Sequence, residues 1–187
     1  MALTASGFPD RRALEAHQLG QLQALLAALR ASNPFYSEKL GAARVDSNLA
    51  SLAEFFERIS FTVKPELIED QRNHPPYGSN LTYPLDRYTR FCQTSGTGGK
   101  PMRWLDTPEN WEWMLGNWEQ VFRASGVTAS DRIFFAFSFG PFLGFWTAFE
   151  CAARMGNLCI PGGGMRSAAR LRTMIDTGAT VLCCTPT

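Results

Sequence analysis

Histidine is nearly absent from this chain. It occurs twice in 187 residues, at His17 and His74, with no second histidine near either. A metal centre or a Ser-His-Asp triad is therefore not expected, since both lean on imidazole. Cysteine occurs five times without a C-x-x-C pair, Cys183 and Cys184 being adjacent. That spacing excludes a zinc framework and offers no disulfide scaffold. Reduced, mostly buried thiols in a cytoplasmic protein are the expectation. Charge of one sign is lacking too. Eighteen Lys and Arg against seventeen Asp and Glu leave a formal +1, so no nucleic-acid surface is expected. Met1 to Arg12 has no apolar stretch of the secretory-signal kind. Long apolar runs are also missing. The longest uncharged one lies between Arg132 and Glu150, and Gly140-Pro141 interrupts it. A spanning helix needs about 20 apolar residues. A buried strand over Ile133 to Phe137, a turn and a buried helix fit this stretch better than a membrane span. Internal repeats and low-complexity tracts are absent.

What is present is a core-forming composition, 45% hydrophobic and 12% aromatic, enough for one ordinary domain or part of a larger one. Residues 1–80 read as a helical segment. Leu14, Leu22, Leu25, Leu26 and Leu29 keep a helical period that Asn33-Pro34 ends. Leu49, Leu52, Phe55, Phe56 and Ile59 predict a second helix, and Thr62 or Lys64-Pro65 begins a third. His74 to Asn80 is a turn-rich connection. Residues 81–187 alternate strands and helices. Thr107-Pro108 starts a helix whose apolar stripe is Trp111, Met114, Leu115, Trp118, Val121 and Phe122, with Gly126 ending it. Asp131 to Phe137 is a continuous apolar strand, Pro141 to Met155 a helix, Leu158 to Ile160 a short strand, Arg166 to Asp176 a helix and Thr180 to Cys184 a strand. This order predicts an α/β fold: an N-terminal helical segment followed by a doubly wound, mostly parallel sheet.

The chemistry concentrates in Thr94-Ser95-Gly96-Thr97-Gly98-Gly99-Lys100-Pro101, which follows a strand-like stretch from Arg87 to Cys92. Glycines let backbone N–H groups approach a ligand closely, and hydroxyls and an ammonium suit phosphate oxygens. The run is not a Walker A loop, because Thr94 and Pro101 stand where that pattern needs Gly and Ser or Thr. Nor is it G-x-G-x-x-G, since Pro101 replaces the third glycine. Taken by itself it is either a nucleotide polyphosphate cradle or a plain glycine hairpin with one exposed lysine. Gly162-Gly163-Gly164 is likewise open between a ligand site at a strand end and a strand-to-helix turn.

The run resembles the Thr/Ser-Ser-Gly-Thr-Thr-Gly-Lys-Pro signature of adenylate-forming enzymes, with Gly98 in place of the second threonine. More narrowly, the chain resembles the phenylacetate–CoA ligase family from about residue 11 onward. Asn33-Pro34-Phe35-Tyr36, then Ser60 to Lys64 with Glu66-Leu67, then Thr180 to Pro186 carry that resemblance in order. It implies an incomplete N-terminal domain of an AMP-forming acid–CoA ligase, acting on a small carboxylic acid with ATP, Mg²⁺ and coenzyme A. Thr94, Ser95, Gly96, Thr97, Gly98, Gly99 and Lys100 would then hold the β- and γ-phosphates. Phe139, Phe142 and Phe145 would help line an aromatic-acid pocket; without the resemblance they read as core.

The family's adenine and ribose motifs, acidic magnesium ligand and catalytic lysine have no counterpart in the sequence. No residue is therefore assigned a catalytic role or a metal, and the chain alone is expected to be inactive. It is expected to pair with a missing C-terminal portion or to self-associate through the apolar last strand. Three other readings stand beside this one: an enzyme that loads a carrier protein, a non-catalytic nucleotide-binding or assembly domain, and an unrelated α/β protein.

Overall fold

The computed structural model describes residues 10–94, 96 and 99–185. The described residues divide into two compact units, one up to Asp86 and one from Arg87.

The first unit is helical. Helix α1 (Arg11–Ser32) starts at Asp10, whose carboxylate accepts from the Ala13 N–H at 2.8 Å. It stops at Asn33, because the following proline has no N–H to continue the ladder. The same proline suits the first turn of a helix, so α2 (Pro34–Ala42) begins at once. Asn33 thus serves two helices. Its N–H donates to the Leu29 carbonyl at 2.9 Å, and its side-chain oxygen accepts from the Tyr36 N–H at 3.0 Å. Sequence periodicity reads only the stop at this point, so α2 goes unforeseen. Helix α3 (Leu52–Arg58) and α4 (Lys64–Asn73) lie where two further helices are expected, with Lys64 rather than Thr62 opening the latter. Leu26, Leu40, Val45 and Leu49 form the core, with Leu22, Leu29, Phe55 and Ile59 packed against it. Leu25, on the predicted stripe, is exposed. The 74–80 connection closes over the buried Asp70, which accepts from the Ser79 N–H at 2.8 Å and bonds the His74 ring at 3.1 Å.

A single 3₁₀ turn (Leu85–Arg87) leads to the second unit. There β1 (Arg90–Gln93) and β2 (Arg103–Asp106) form a two-stranded antiparallel sheet of their own, with Gln93 opposite Arg103. Strand β2 is unforeseen, because Arg103-Trp104-Leu105-Asp106 is too short and too polar for a strand pattern. Helix α5 (Pro108–Ala124) follows, capped by the Thr107 hydroxyl, which accepts from the Asn110 N–H at 3.3 Å. Its buried side is Trp111, Leu115 and Phe122, and Val121 of the predicted stripe faces solvent.

Next come β3 (Arg132–Phe135), α6 (Leu143–Arg154), β4 (Leu158–Pro161), α7 (Ser167–Thr177) and β5 (Val181–Cys183). The three strands are parallel in the order β4-β3-β5. The chain steps from β3 to β4 on one side, then crosses back past β3 to β5. Right-handed crossovers then place α6 and α7 on opposite faces, which is the double winding the strand–helix order predicts. Ile133 and Phe135 face the α5–α6 side, in a core with Trp111, Leu115, Phe122 and Cys151. Phe134 points to the other side and is also fully buried. Gly178, at φ 61°, ends α7 in the left-handed conformation that glycine adopts without a Cβ penalty.

Candidate functional site

The glycine run is the hairpin loop between β1 and β2, and so belongs to the small antiparallel sheet. Ser95, Thr97 and Gly98 lie outside the described residues. The loop's base is closed by Thr94, whose N–H donates to the Met102 carbonyl at 2.9 Å and whose Oγ1 accepts from the Met102 N–H at 3.0 Å. Gly96, at φ 72°, accepts from the Gly99 N–H at 2.9 Å. A Cβ on Gly96 would lie 3.0 Å from both the Gly99 oxygen and the Pro101 ring, so the turn requires glycine there. Lys100 is exposed. The described part of the loop is thus a tight, left-handed turn with an outward ammonium.

Two ties fasten this hairpin to the α/β layer. The Gln93 N–H donates to the Pro141 carbonyl at 2.8 Å. On α6, Glu150 accepts from Arg90 at 3.0 Å and from the Trp111 indole at 2.8 Å, while the Arg90 guanidinium sits 5.0 Å above the Trp111 ring. No sequence motif signals the Arg90–Glu150 pair, whose members lie 60 positions apart.

Pro141 belongs to the corner between β3 and α6, where Phe139, Phe142 and Phe145 all lie, each half-buried. Phe145 stacks on Phe137 at 4.1 Å between centroids. Phe139 meets Phe137 at 5.5 Å, Phe149 at 5.1 Å and Trp146 at 4.9 Å. Phe142 meets Phe145 at 5.8 Å. The structure therefore gathers all three predicted phenylalanines at the carboxyl end of β3, within one hydrogen bond of the glycine hairpin's base.

Gly162-Gly163-Gly164 closes the same end. The Gly162 N–H donates to the Phe135 carbonyl at 2.8 Å. A Cβ on Gly162 would fall 2.6 Å from the Phe134 ring, and one on Gly163 would fall 3.2 Å from the Phe137 oxygen. These two glycines let the post-β4 turn sit flush against the aromatic corner. Arg170 of α7 spans the two turns, donating to the Gly162 carbonyl at 3.1 Å and the Ala136 carbonyl at 2.8 Å.

Four of the five thiols are poor nucleophile candidates, Cys184 being exposed. Burial raises the pKa of Cys92, Cys151 and Cys183, and pushes Cys159 up to about 11. Asp106, buried at the end of β2, leaves Oδ2 without a hydrogen-bond partner, and desolvation raises its pKa. Among the described residues no group of three His, Cys, Asp or Glu side chains could hold a metal ion. No helix among them is long and apolar enough to cross a membrane.

Comparison with known proteins bears directly on this site. Phenylacetate-coenzyme A ligase of Thermus thermophilus is 28% identical over 176 residues, covering 94% of this chain. The Escherichia coli enzyme of the same name is 26% identical over 177 residues, covering 92%. The chain resembles phenylacetate–CoA ligases over nearly its whole length. It spans 38% of the length of each of these relatives. Among solved structures, 2-hydroxyisobutyryl-CoA ligase in an open conformation, in complex with 2-HIB-AMP and CoA, superposes with a TM-score of 0.83 at 25% identity. That match covers 92% of this chain and 40% of the ligase. The same enzyme in its thioesterification state superposes with a TM-score of 0.82 at 26% identity, covering 95% of this chain. No family model matches.

Proposed function

We propose that this chain is the phosphate- and acid-binding portion of an AMP-forming carboxylic acid–CoA ligase. The observation that carries the reading is the Gln93–Pro141 hydrogen bond, which sets the glycine hairpin beside the aromatic corner. Adenylation needs the acid and the nucleotide triphosphate held together, with phosphate charge neutralised. An acid seated in the corner of Phe139, Phe142 and Phe145 would direct its carboxylate toward phosphates held at the loop by Lys100, by Thr94, Ser95 and Thr97, and by the N–H groups of Gly96 and Gly98, the Gly99 N–H being spent on the Gly96 carbonyl.

A carboxylate oxygen bonds to the α-phosphorus of ATP while the bond to the bridging oxygen breaks, releasing pyrophosphate. The coenzyme A sulfur then bonds to the acyl carbon, AMP leaves, and the thiol proton passes to solvent. Coenzyme A is favoured over a carrier protein because the superposing ligase carries CoA with its acyl-adenylate. The Mg²⁺ such chemistry uses finds no protein ligand set among the described residues. The chain spans 38% of the length of these relatives, and the reading leaves the groups that would complete the reaction to the remainder of such an enzyme.

Calorimetric titration of the 187-residue chain with ATP tests the loop. Lys100→Ala should weaken binding by ~1.5–3 kcal/mol, the contribution of a charge-assisted hydrogen bond, and leave the melting transition in place. Equal affinity in parent and variant would remove the phosphate role. The chain alone should release no pyrophosphate from ATP and an acid.

A further inference from the structure

Three sulfur atoms gather where α6 meets β4. Cys151 has no exposed surface, and its thiol donates to the Met155 Sδ one helical turn on, 3.9 Å away. Cys159 of β4 lies against the same helix, its Sγ 3.8 Å from the Phe149 carbonyl oxygen and close enough to Cys151 for that thiol to oppose its ionisation. The three stand at four-residue intervals in the chain. Met155 also lines a cleft of about 370 Å³, together with Arg123, Thr128, Ala129 and Arg154. Thr128 and Ala129 precede β3, so the cleft lies at the end of the sheet away from the aromatic corner. It brings solvent to the Met155 thioether, while Cys151 stays sealed in the core.

Two sulfurs at this separation match the span of one bound metal ion. An ion about 2.3 Å from each, the ordinary metal–thiolate distance, would see them at an angle of about 116°. That is the angle of a trigonal centre, not of a linear pair, so a third ligand belongs with them, and Cys159 is at hand. The donor set selects the ion. Zinc takes four thiolate or imidazole ligands, and among the described residues no further histidine, cysteine or carboxylate joins the two cysteines in a metal-holding group. Thiolate together with thioether suits Cu(I). Charge points the same way. Burial raises the pKa of both thiols, so both are protonated in the free protein. A monovalent ion that replaces the Cys151 proton, which leaves to solvent, keeps the site neutral. A divalent ion in the same place would leave a net charge buried. We propose that Cys151, Met155 and Cys159 form a trigonal site for a soft monovalent cation, Cu(I), entered from the Met155 cleft. The site is independent of the ligase reading.

Anaerobic titration of Cu(I), delivered as its bicinchoninate complex, into the 187-residue chain is the test. A Cys184→Ser background removes the exposed thiol. One ion per chain should be taken up, and the melting transition should rise, as it does when a ligand binds only the folded state. Met155→Leu conserves volume, so its metal-free melt should stay near the parent's. Its Cu(I) affinity should fall at least about tenfold, the smaller of the losses seen even for groups that only support a metal ligand. Cys159→Ser should weaken binding likewise, and excess Zn²⁺ should not displace the ion. Cys151→Ala should abolish uptake; if that core change unfolds the chain, Met155→Leu decides. Parental affinity in Met155→Leu overturns the inference. So does uptake that persists in a folded Cys151→Ala chain, displacement by Zn²⁺, or a parent that takes up no ion.

Discussion

Substituting Gly162→Ala should destabilise the second unit, although alanine usually stabilises a chain by stiffening its unfolded state. The added Cβ would sit 2.6 Å from Cε1 and Cζ of Phe134 and 2.9 Å from the Phe135 carbonyl oxygen, where ordinary contact begins at 3.4 Å. Phe134 has no exposed surface and sits on the central strand, so its ring cannot swing aside. The turn must move instead, and it is held by the Gly162–Phe135 bond and by Arg170. Overpacking of this kind costs about 1–3 kcal/mol, which lowers a melting midpoint by roughly 2–4 °C per kcal/mol in a chain of this size. The five tryptophans, from Trp104 to Trp146, all belong to the second unit, so a tryptophan-fluorescence melt reports on that unit alone.

Gly116→Ala is the internal control. Gly116 lies inside α5 with nothing within 4 Å of a new Cβ, so the same substitution should there raise stability by about 0.5–1 kcal/mol. Trimming the ring with Phe134→Leu should recover part of the Gly162→Ala loss, a coupling expected between residues in contact. A Gly162→Ala chain as stable as the parent would refute the close-packing account and return the triple-glycine run to candidacy as a ligand cradle.

Asp106→Asn should stabilise the chain at neutral pH, because it removes a buried negative charge that nothing compensates at Oδ2. Its folded pKa lies above the ordinary 3.8, so its effect on stability is most favourable at low pH and is lost as pH rises through the raised value. Urea titrations across pH 3 to 8 should show that slope flattened in the variant, and an unchanged slope would count against the burial argument. Asp131 has the opposite sign. The Thr128 N–H, then the Thr180 and Thr128 hydroxyls, hold its pKa low, so its stabilisation is present above the ordinary value and lost as pH falls through the lowered one. Asp131→Asn should accordingly lower the melting midpoint at pH 7 and narrow the gap to the parent at acid pH. Leu158, Leu171, Ile175 and Leu182 are all more than half exposed, and light scattering should find the purified chain self-associated; a clean monomer would show that this surface tolerates water.

Local chemistry was enough to place most of the elements. The Leu22–Leu26–Leu29 period, the Thr107-Pro108 start and the glycine stops at Gly126 and Gly178 depend on contacts within a few residues, which a sequence displays directly. So does the apolar run of Ile133 to Phe135, which marks a strand covered on both faces. The glycine hairpin and the phenylalanine corner were each visible as composition, and the hairpin's resemblance to an adenylate-forming signature is what carries the expectation of phosphate binding. Whether Gly162 and Gly163 cradle a ligand or admit a neighbour was not visible, because the answer lies in the Phe134 ring and the Phe137–Ser138 backbone, more than 20 residues back in the chain. The same holds for the Arg90–Glu150–Trp111 tie, for Arg170 across two turns and for Cys159 against α6. Cys151 and Met155 could have been paired from their four-residue spacing alone, but only folding brought the third sulfur to that helix. Packing between separate elements decides that, since a strand meets a helix only where the sheet lays one against the other.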